Sequence, residues 1–176
     1  MKGINTIMEE KQLMLTLKRL AHELIENHYP FTDNCIIGIQ PRGIAISDFI
    51  TQYIQTIHPE VSIHYGKLDI TFYRDDFRGQ IHIPSITDLP FSIEGKEVIL
   101  IDDVLYTGRT IRAAMDALLD NGRAQKVELC ILVDRKFSRE LPIQPDYVGK
   151  SIDSIVTQKV KVMWGDEKRV ILYDSI

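Results

Sequence analysis

Short, uniformly apolar runs alternate along the chain with stretches in which apolar side chains recur every three to four positions. Leu13, Leu17, Leu20, Ala21, Leu24 and Ile25 fall at helical spacing, while Glu9, Glu10, Lys11, Lys18, Arg19 and Glu23 fall mostly elsewhere, which predicts an amphipathic helix. CIIGIQ at 35–40 is too short and too apolar for a surface helix, and Pro41-Arg42-Gly43 breaks it, so it reads as a buried strand. A second helix carries Ile46, Phe49, Ile50, Tyr53, Ile54 and Ile57 on one face and ends at His58-Pro59. A β-rich run follows at 61–73. Residues 74–95 are polar, carry Gly79, Pro84 and Pro90 and show no sustained period, which in a compact domain predicts a functional loop or mobile hairpin. EVILI at 97–101 is another buried strand, and Ile111, Ala114, Met115, Leu118 and Leu119 give a helix stopped by Asn121-Gly122. VELCILVD at 127–134 is a further strand, 135–147 an irregular loop, and KVKVMW and RVILY a hairpin turning at Gly165-Asp166.

Strands that alternate with helices demand crossover connections, so the expected fold is α/β, a central parallel sheet covered by helices on both faces. No internal repeat, low-complexity tract or domain boundary interrupts residues 1–176, which are expected to form one domain. A chain of 176 residues buries roughly 70% of its unfolded surface and needs no staples. Collagen-like, disordered and disulfide-dense classes are excluded. The two cysteines, Cys35 and Cys130, each lie in an apolar run and read as buried thiols rather than metal ligands. No stretch approaches the ~20 apolar residues of a membrane span. MEEK near the start does not suit a signal peptide, so the cytoplasm is the expected location. With 21 basic and 25 acidic residues the net charge is −4, which argues against an overall cationic coat and leaves a single basic face open.

In such sheets ligands bind at the carboxyl ends of the strands. VILIDDVLYTGRT at 98–110 carries the chemistry expected there: a buried strand delivers Asp102 and Asp103, and Thr107-Gly108-Arg109-Thr110 then opens a helix. Gly108 lets the backbone approach a phosphate, the first-turn amides point at the anion, and Thr107 and Thr110 add hydroxyl donors. The carboxylates would repel a phosphate but accept hydrogen bonds from a vicinal diol, or hold Mg²⁺ through its waters. A ribose 5-phosphate spans both ends. TGRT alone reads as an ordinary helix start, and only its conjunction with the strand and the paired aspartates points to a site. No GxxxxGK[ST] occurs, which disfavours a P-loop nucleotidase.

IDDVLYTGRT resembles the phosphoribosyl-pyrophosphate (PRPP) loop of type I phosphoribosyltransferases, a fold with a parallel sheet, a flexible loop and a small hood. RLAHELIE (19–26), IQPRGI (39–44), DITFYRDD (69–76), RTIRAAMDAL (109–118), ILVDR (131–135), RELPI (139–143) and DYVGK (146–150) together resemble the PyrR family, bifunctional pyrimidine operon regulators and uracil phosphoribosyltransferases. The resemblance implies transfer of phosphoribose from PRPP to N1 of uracil, giving UMP and pyrophosphate, with Mg²⁺ as cofactor carried by PRPP and touched by Asp102 and Asp103. It implies that Asp102 and Asp103 hold the ribose hydroxyls and that Thr107 to Thr110 cradle the 5-phosphate. Pro41, Arg42 and Gly43 would bind pyrophosphate. A guanidinium suits phosphate oxygens, and a glycine beside it permits close backbone approach, with a strained peptide as one means. An ordinary strand-to-helix turn remains the other reading of 41–43.

Asp102, Asp103 and Arg42 are thus the candidate catalytic residues. Arg74 would open a mobile cover over the pyrophosphate, while Asp75 and Asp76 read as solvated loop charges. Val104, Leu105, Tyr106 and Arg109 complete the implied PRPP and UMP contacts, and Arg135 and Val160 fall at nucleobase-pocket positions, although a valine in KVKV also suits plain core. The family further implies UMP-responsive binding of pyrimidine operon leader RNA and a homodimer or dimer of dimers. Lys18, Arg19, His22, Arg139 and Lys150 are candidates for the RNA face, with scattered solubilising charges as the plainer reading. Lys136-Phe137-Ser138 and Gln144-Pro145 depart from the family pattern, near the nucleobase loop and RNA face. A UMP-sensing regulator with weak catalysis and a purine-salvage phosphoribosyltransferase are the alternative readings.

Overall fold

The computed structural model describes residues 4–74 and 85–174. Its elements in chain order are β1 (Ile4–Met8), α1 (Glu10–His28), β2 (Asn34–Ile39), α2 (Ile44–Ile57), β3 (His64–Leu68), a 3₁₀ turn (Thr71–Tyr73), β4 (Glu97–Leu105), α3 (Arg109–Leu119), β5 (Lys126–Lys136), β6 (Tyr147–Asp153), β7 (Gln158–Met163) and β8 (Arg169–Asp174). Five strands form a wholly parallel sheet in the order β3-β2-β4-β5-β6. The other three form a small antiparallel sheet, β1-β8-β7.

The period of two along the buried strands divides the core between two faces. Ile36, Ile99, Ile101 and Leu132 join Leu13, Leu17, Leu20 and Leu24 of α1 and Ile46, Ile50 and Ile54 of α2 on one side. Ile37, Val98, Leu100 and Ile131 pack against Ile111, Ala114 and Leu118 of α3 on the other. Helices therefore cover both faces, as the alternation predicts, and each fully buried leucine or isoleucine stabilises this arrangement by about 2 kcal/mol relative to exposure. Cys35 and Cys130 are free and buried, and burial pushes the Cys35 thiol up to about 11.

The structure departs from the sequence reading in four places. The β-rich run at 61–73 pairs only over His64–Leu68, and Thr71–Tyr73 turns as a 3₁₀ helix because Asp69 accepts hydrogen bonds from the Thr71 amide (3.0 Å) and hydroxyl (2.7 Å). β5 runs two residues past Asp134, and the region read as loop ends in an unforeseen strand, β6, which pairs in parallel with β5 from Cys130↔Tyr147 to Lys136↔Asp153. β1 is likewise unforeseen and gains its place by pairing with β8. Of the connection at 74–95, residues 75–84 lie outside the described residues, and the remainder is anchored by a bridge between Lys67 and Asp88.

Candidate active site

The carboxyl ends of β2, β4 and β5 open into one cleft of about 710 Å³, closed on the far side by the antiparallel sheet. β4 carries Asp102 and Asp103 into its floor, where they are only 5% and 7% exposed. The Asp103 amide donates to Asp102 Oδ1 at 2.9 Å. Burial, and then the charge of Asp103, pushes the Asp102 carboxyl well above the usual carboxylate range, against the pull of Arg42 and Arg74. Burial raises Asp103 too, with Arg42 opposing. Among the described residues, Arg42 opposes the rise at both carboxyls and Arg74 at Asp102, and burial outweighs them.

The turn after β4 is shaped for close approach. Gly108 has φ +94°, a left-handed conformation that side chains resist, and a Cβ there would press on Ile143 Cδ1 at 3.1 Å. Gly108 caps α3 without a side chain, so the helix opens toward the cleft with its first amides and positive dipole end. A strap at 139–143 holds the turn in shape. The amides of Glu140 and Leu141 donate to the Thr107 carbonyl at 3.0 and 3.1 Å, and Arg139 Nη1 donates to the Tyr106 carbonyl at 2.6 Å. Arg109, expected to contact substrate, lines the cleft and also pairs with Glu140 at 2.7 Å.

Pro41, Arg42 and Arg74 line the opposite wall, with Arg42 exposed to the cleft. Gly43 shows no backbone strain, since it caps the start of α2 at φ −70°, ψ −17°. What demands a glycine is proximity: a Cβ would lie 2.4 Å from the Ile101 carbonyl and 2.7 Å from that of Ile39. The 41–43 turn is thereby pressed against β4 at the residue before Asp102. The cover expected beyond Arg74, with Asp75 and Asp76, falls outside the described residues.

On the third side stand Arg135, Tyr106 and Val160, joined by Val156, Gln158, Lys159 and Tyr173, which the sequence reading did not single out. Hairpin residues carry no chemical signature of a site, and only the folding of the antiparallel sheet over the strand ends brings them there. Val160 lines the cleft and also packs against the core. Val104 and Leu105 line the floor.

The five candidates for a basic face divide. Lys18, Arg19 and His22 are exposed along α1, with Lys18 Nζ over the Tyr53 ring at 5.5 Å. Arg19 reaches across to the carbonyls of Val148 (2.9 Å) and Gly149 (2.7 Å), and half-buried Lys150 donates to the Ile7 carbonyl at 3.0 Å. Arg139 does not join them. It is engaged beside the cleft with the Tyr106 carbonyl and Asp134, because the 139–143 strap folds back onto the 106–108 turn.

Among the described residues no group of three or more His, Cys, Asp or Glu side chains could hold a metal by itself, and no helix is long and apolar enough to cross a membrane. The chain matches the phosphoribosyl transferase domain family over residues 3–165. It is similar to the bifunctional protein PyrR of Brevibacillus brevis, 48% identical over 90% of this chain and 88% of the relative. It is equally similar to that of Mannheimia succiniciproducens, 49% identical over 89% of each. In fold it resembles a hypoxanthine phosphoribosyltransferase of Staphylococcus aureus, TM-score 0.67, 24% identical over 86% of this chain and 79% of that one. The Trypanosoma cruzi hypoxanthine phosphoribosyl transferase gives a TM-score of 0.69 at 16% identity over 97% and 90% of the two chains.

Proposed function

Because the chain belongs to the PyrR family of phosphoribosyl transferase domains, we propose that its cleft moves the phosphoribosyl group of PRPP onto N1 of uracil, yielding UMP and pyrophosphate. The observation that carries this reading is the buried Asp102–Asp103 pair set between two anion-binding walls in a single cleft. A ribose laid over the pair presents its two hydroxyls to the carboxylates. Its 5-phosphate reaches the 107–110 turn, and the pyrophosphate on C1 meets Arg42 and Arg74. The base then faces Arg135 and Val160.

As the C1–oxygen bond to pyrophosphate breaks, positive charge grows on the ribose ring, and the carboxylates beneath it stabilise that charge while the arginines hold the leaving group. Uracil N1 forms the new bond to C1 as its proton passes to the departing pyrophosphate or to water, and no covalent enzyme intermediate is needed. The residues fit Mg²⁺ as a companion of PRPP rather than a resident ion: two adjacent buried carboxyls suit a hard cation, yet among the described residues too few ligands converge to cage one. When bound, Mg²⁺ neutralises the pyrophosphate oxygens.

The exposed stretch of α1 with Lys18, Arg19 and His22 supports a second role, UMP-responsive binding of pyrimidine operon leader RNA, in a cytoplasmic homodimer or dimer of dimers. Conversion of labelled uracil to UMP with PRPP and Mg²⁺, with hypoxanthine and guanine run in parallel, tests the enzymatic reading. Turnover of uracil that Asp103→Asn abolishes is the expected result. A folded protein that turns over no base would leave a UMP-sensing RNA regulator instead, and turnover of purines alone would make it a purine-salvage enzyme.

A further inference from the structure

The fold neighbours named for hypoxanthine share this architecture, so the sheet does not select the base. One local arrangement in the cleft does carry a selection. The Arg135 guanidinium lies 3.9 Å from the centre of the Tyr106 ring. Arg135 is 3% exposed, and its plane is fixed by Nε donating to Ser154 Oγ at 2.8 Å and Nη2 donating to the Ile155 carbonyl at 3.2 Å. Tyr106 is fixed at its other end, where Arg139 donates to its carbonyl at 2.6 Å. A buried guanidinium stacked on an aromatic face is held in orientation by the ring as well as by its hydrogen bonds.

The position of this stack gives it meaning. Tyr106 directly precedes the 107–110 turn and lines the cleft together with Arg135 and Val156. A nucleotide whose phosphate sits in that turn and whose hydroxyls sit on Asp102 and Asp103 must send its base toward this wall. We propose that Tyr106 is a positioning and specificity-determining residue: its ring holds Arg135 in register with the carbonyl oxygens of the base, and the Tyr106–Arg135 stack fills the space that the second ring of a purine would need. Arg135 is the group that touches the base, and Tyr106 acts through it and through the volume it occupies. A site built to donate to a base carbonyl loses more from a misaligned donor than from a lost apolar contact.

This inference rests on the reading of the cleft as a uracil site, and the experiment separates the two. Steady-state kinetics of the native protein, Tyr106→Phe, Tyr106→Ala and Arg135→Lys would be run with uracil and with hypoxanthine, beside calorimetric binding of UMP and ribose 5-phosphate. Tyr106→Ala should raise KM for uracil at least tenfold, leave KM for PRPP within about twofold, and narrow the preference for uracil over hypoxanthine at least tenfold. Arg135→Lys, which keeps the charge and loses the plane, should raise KM for uracil in the same way without admitting hypoxanthine. Tyr106→Phe, which keeps the ring and loses the hydroxyl that also bonds Arg135, should fall between the native protein and Tyr106→Ala. UMP binding should weaken in Tyr106→Ala while ribose 5-phosphate binding does not. An unchanged uracil KM in folded Tyr106→Ala, or equal damage from Tyr106→Phe, overturns the inference. A native protein that makes no UMP removes the uracil-enzyme reading, and the contrast between UMP and ribose 5-phosphate then still decides the role of Tyr106.

Discussion

The two ends of the parallel sheet both bury charge, and they do so in opposite ways. At the amino ends, Glu128 of β5 is 7% exposed and fully engaged. It accepts from Tyr147 Oη at 2.9 Å, meets His28 Nε2 at 2.7 Å and pairs with Lys126. Asn34 extends the network from His28 Nδ1 to Glu97, with 2.9 Å to each. Burial alone would raise the Glu128 carboxyl, but Lys126, Tyr147 and His28 hold it below its ordinary value. At the carboxyl ends, Asp102 and Asp103 are equally buried and are raised. A carboxylate supplied with its own donors is part of the scaffold, whereas a buried pair left short of countercharge is prepared for a ligand that brings it.

The largest effect that would break this contrast is on turnover. Asp103→Asn should lower UMP formation at least about a thousandfold while the protein stays folded by circular dichroism, since the transition-state charge loses its partner. Glu128→Gln, at the other end, should leave KM for PRPP within about twofold. Gly43→Ala comes next: a Cβ 2.4 Å from a carbonyl must displace the 41–43 turn or the end of β4. It should cost about 2–3 kcal/mol in urea unfolding and most of the activity. Gly108→Ala should cost about 1–2 kcal/mol through its left-handed φ.

Stability against pH sharpens the comparison further. Asp102 and Asp103 hold protons more tightly folded than unfolded, so their contribution is complete below the ordinary 3.8 and is lost as pH rises through the raised values. Glu128 behaves in reverse, contributing above its ordinary 4.5 and losing that contribution as pH falls through the lowered value. In chelator-treated protein without PRPP, Asp102→Asn should therefore raise Tm at neutral pH by about 3 °C and have little effect near pH 4. Glu128→Gln should lower stability at neutral pH by about 2 kcal/mol, because the amide loses the charge paired with Lys126 and sets an NH2 against one of the donors that the second carboxylate oxygen now serves. Thermal scans across that range read both signs. The smallest effect is expected on the surface: Lys18→Ala should weaken leader-RNA binding several-fold and reduce its salt slope by about one, with UMP formation unchanged.

Much of this contrast was legible in the chain, and particular residues show where legibility stopped. Asp102, Asp103 and the 107–110 turn were readable because strand, carboxylates, glycine and helix are contiguous, and local order is what a sequence displays. The glycine at 43 was readable, but its cause was not: the carbonyls it must clear belong to β2 and β4, and no local pattern announces that approach. β6 went unread because YVGKSID is half polar with a central glycine, and it becomes a strand only through the edge that β5 offers. Arg139 looked like a surface cation because its partners, Asp134 and the Tyr106 carbonyl, are assembled by the return of a strap onto a loop 33 residues earlier in the chain.

The sequence by itself determined the alternation of buried strands and amphipathic helices, hence the parallel sheet and the end at which chemistry would gather, because periodicity and apolar runs are local properties. It also determined the carboxylate pair and the glycine turn of the candidate site, which lie in one continuous segment. Only the tertiary structure decided how the third wall of the cleft is assembled. Tyr106, Arg135, Ser154, Val156 and Val160 come from the β4–α3 turn, from β5, from the approach to the antiparallel hairpin and from β7 itself. What they recognise depends on distances between segments that the chain order leaves free.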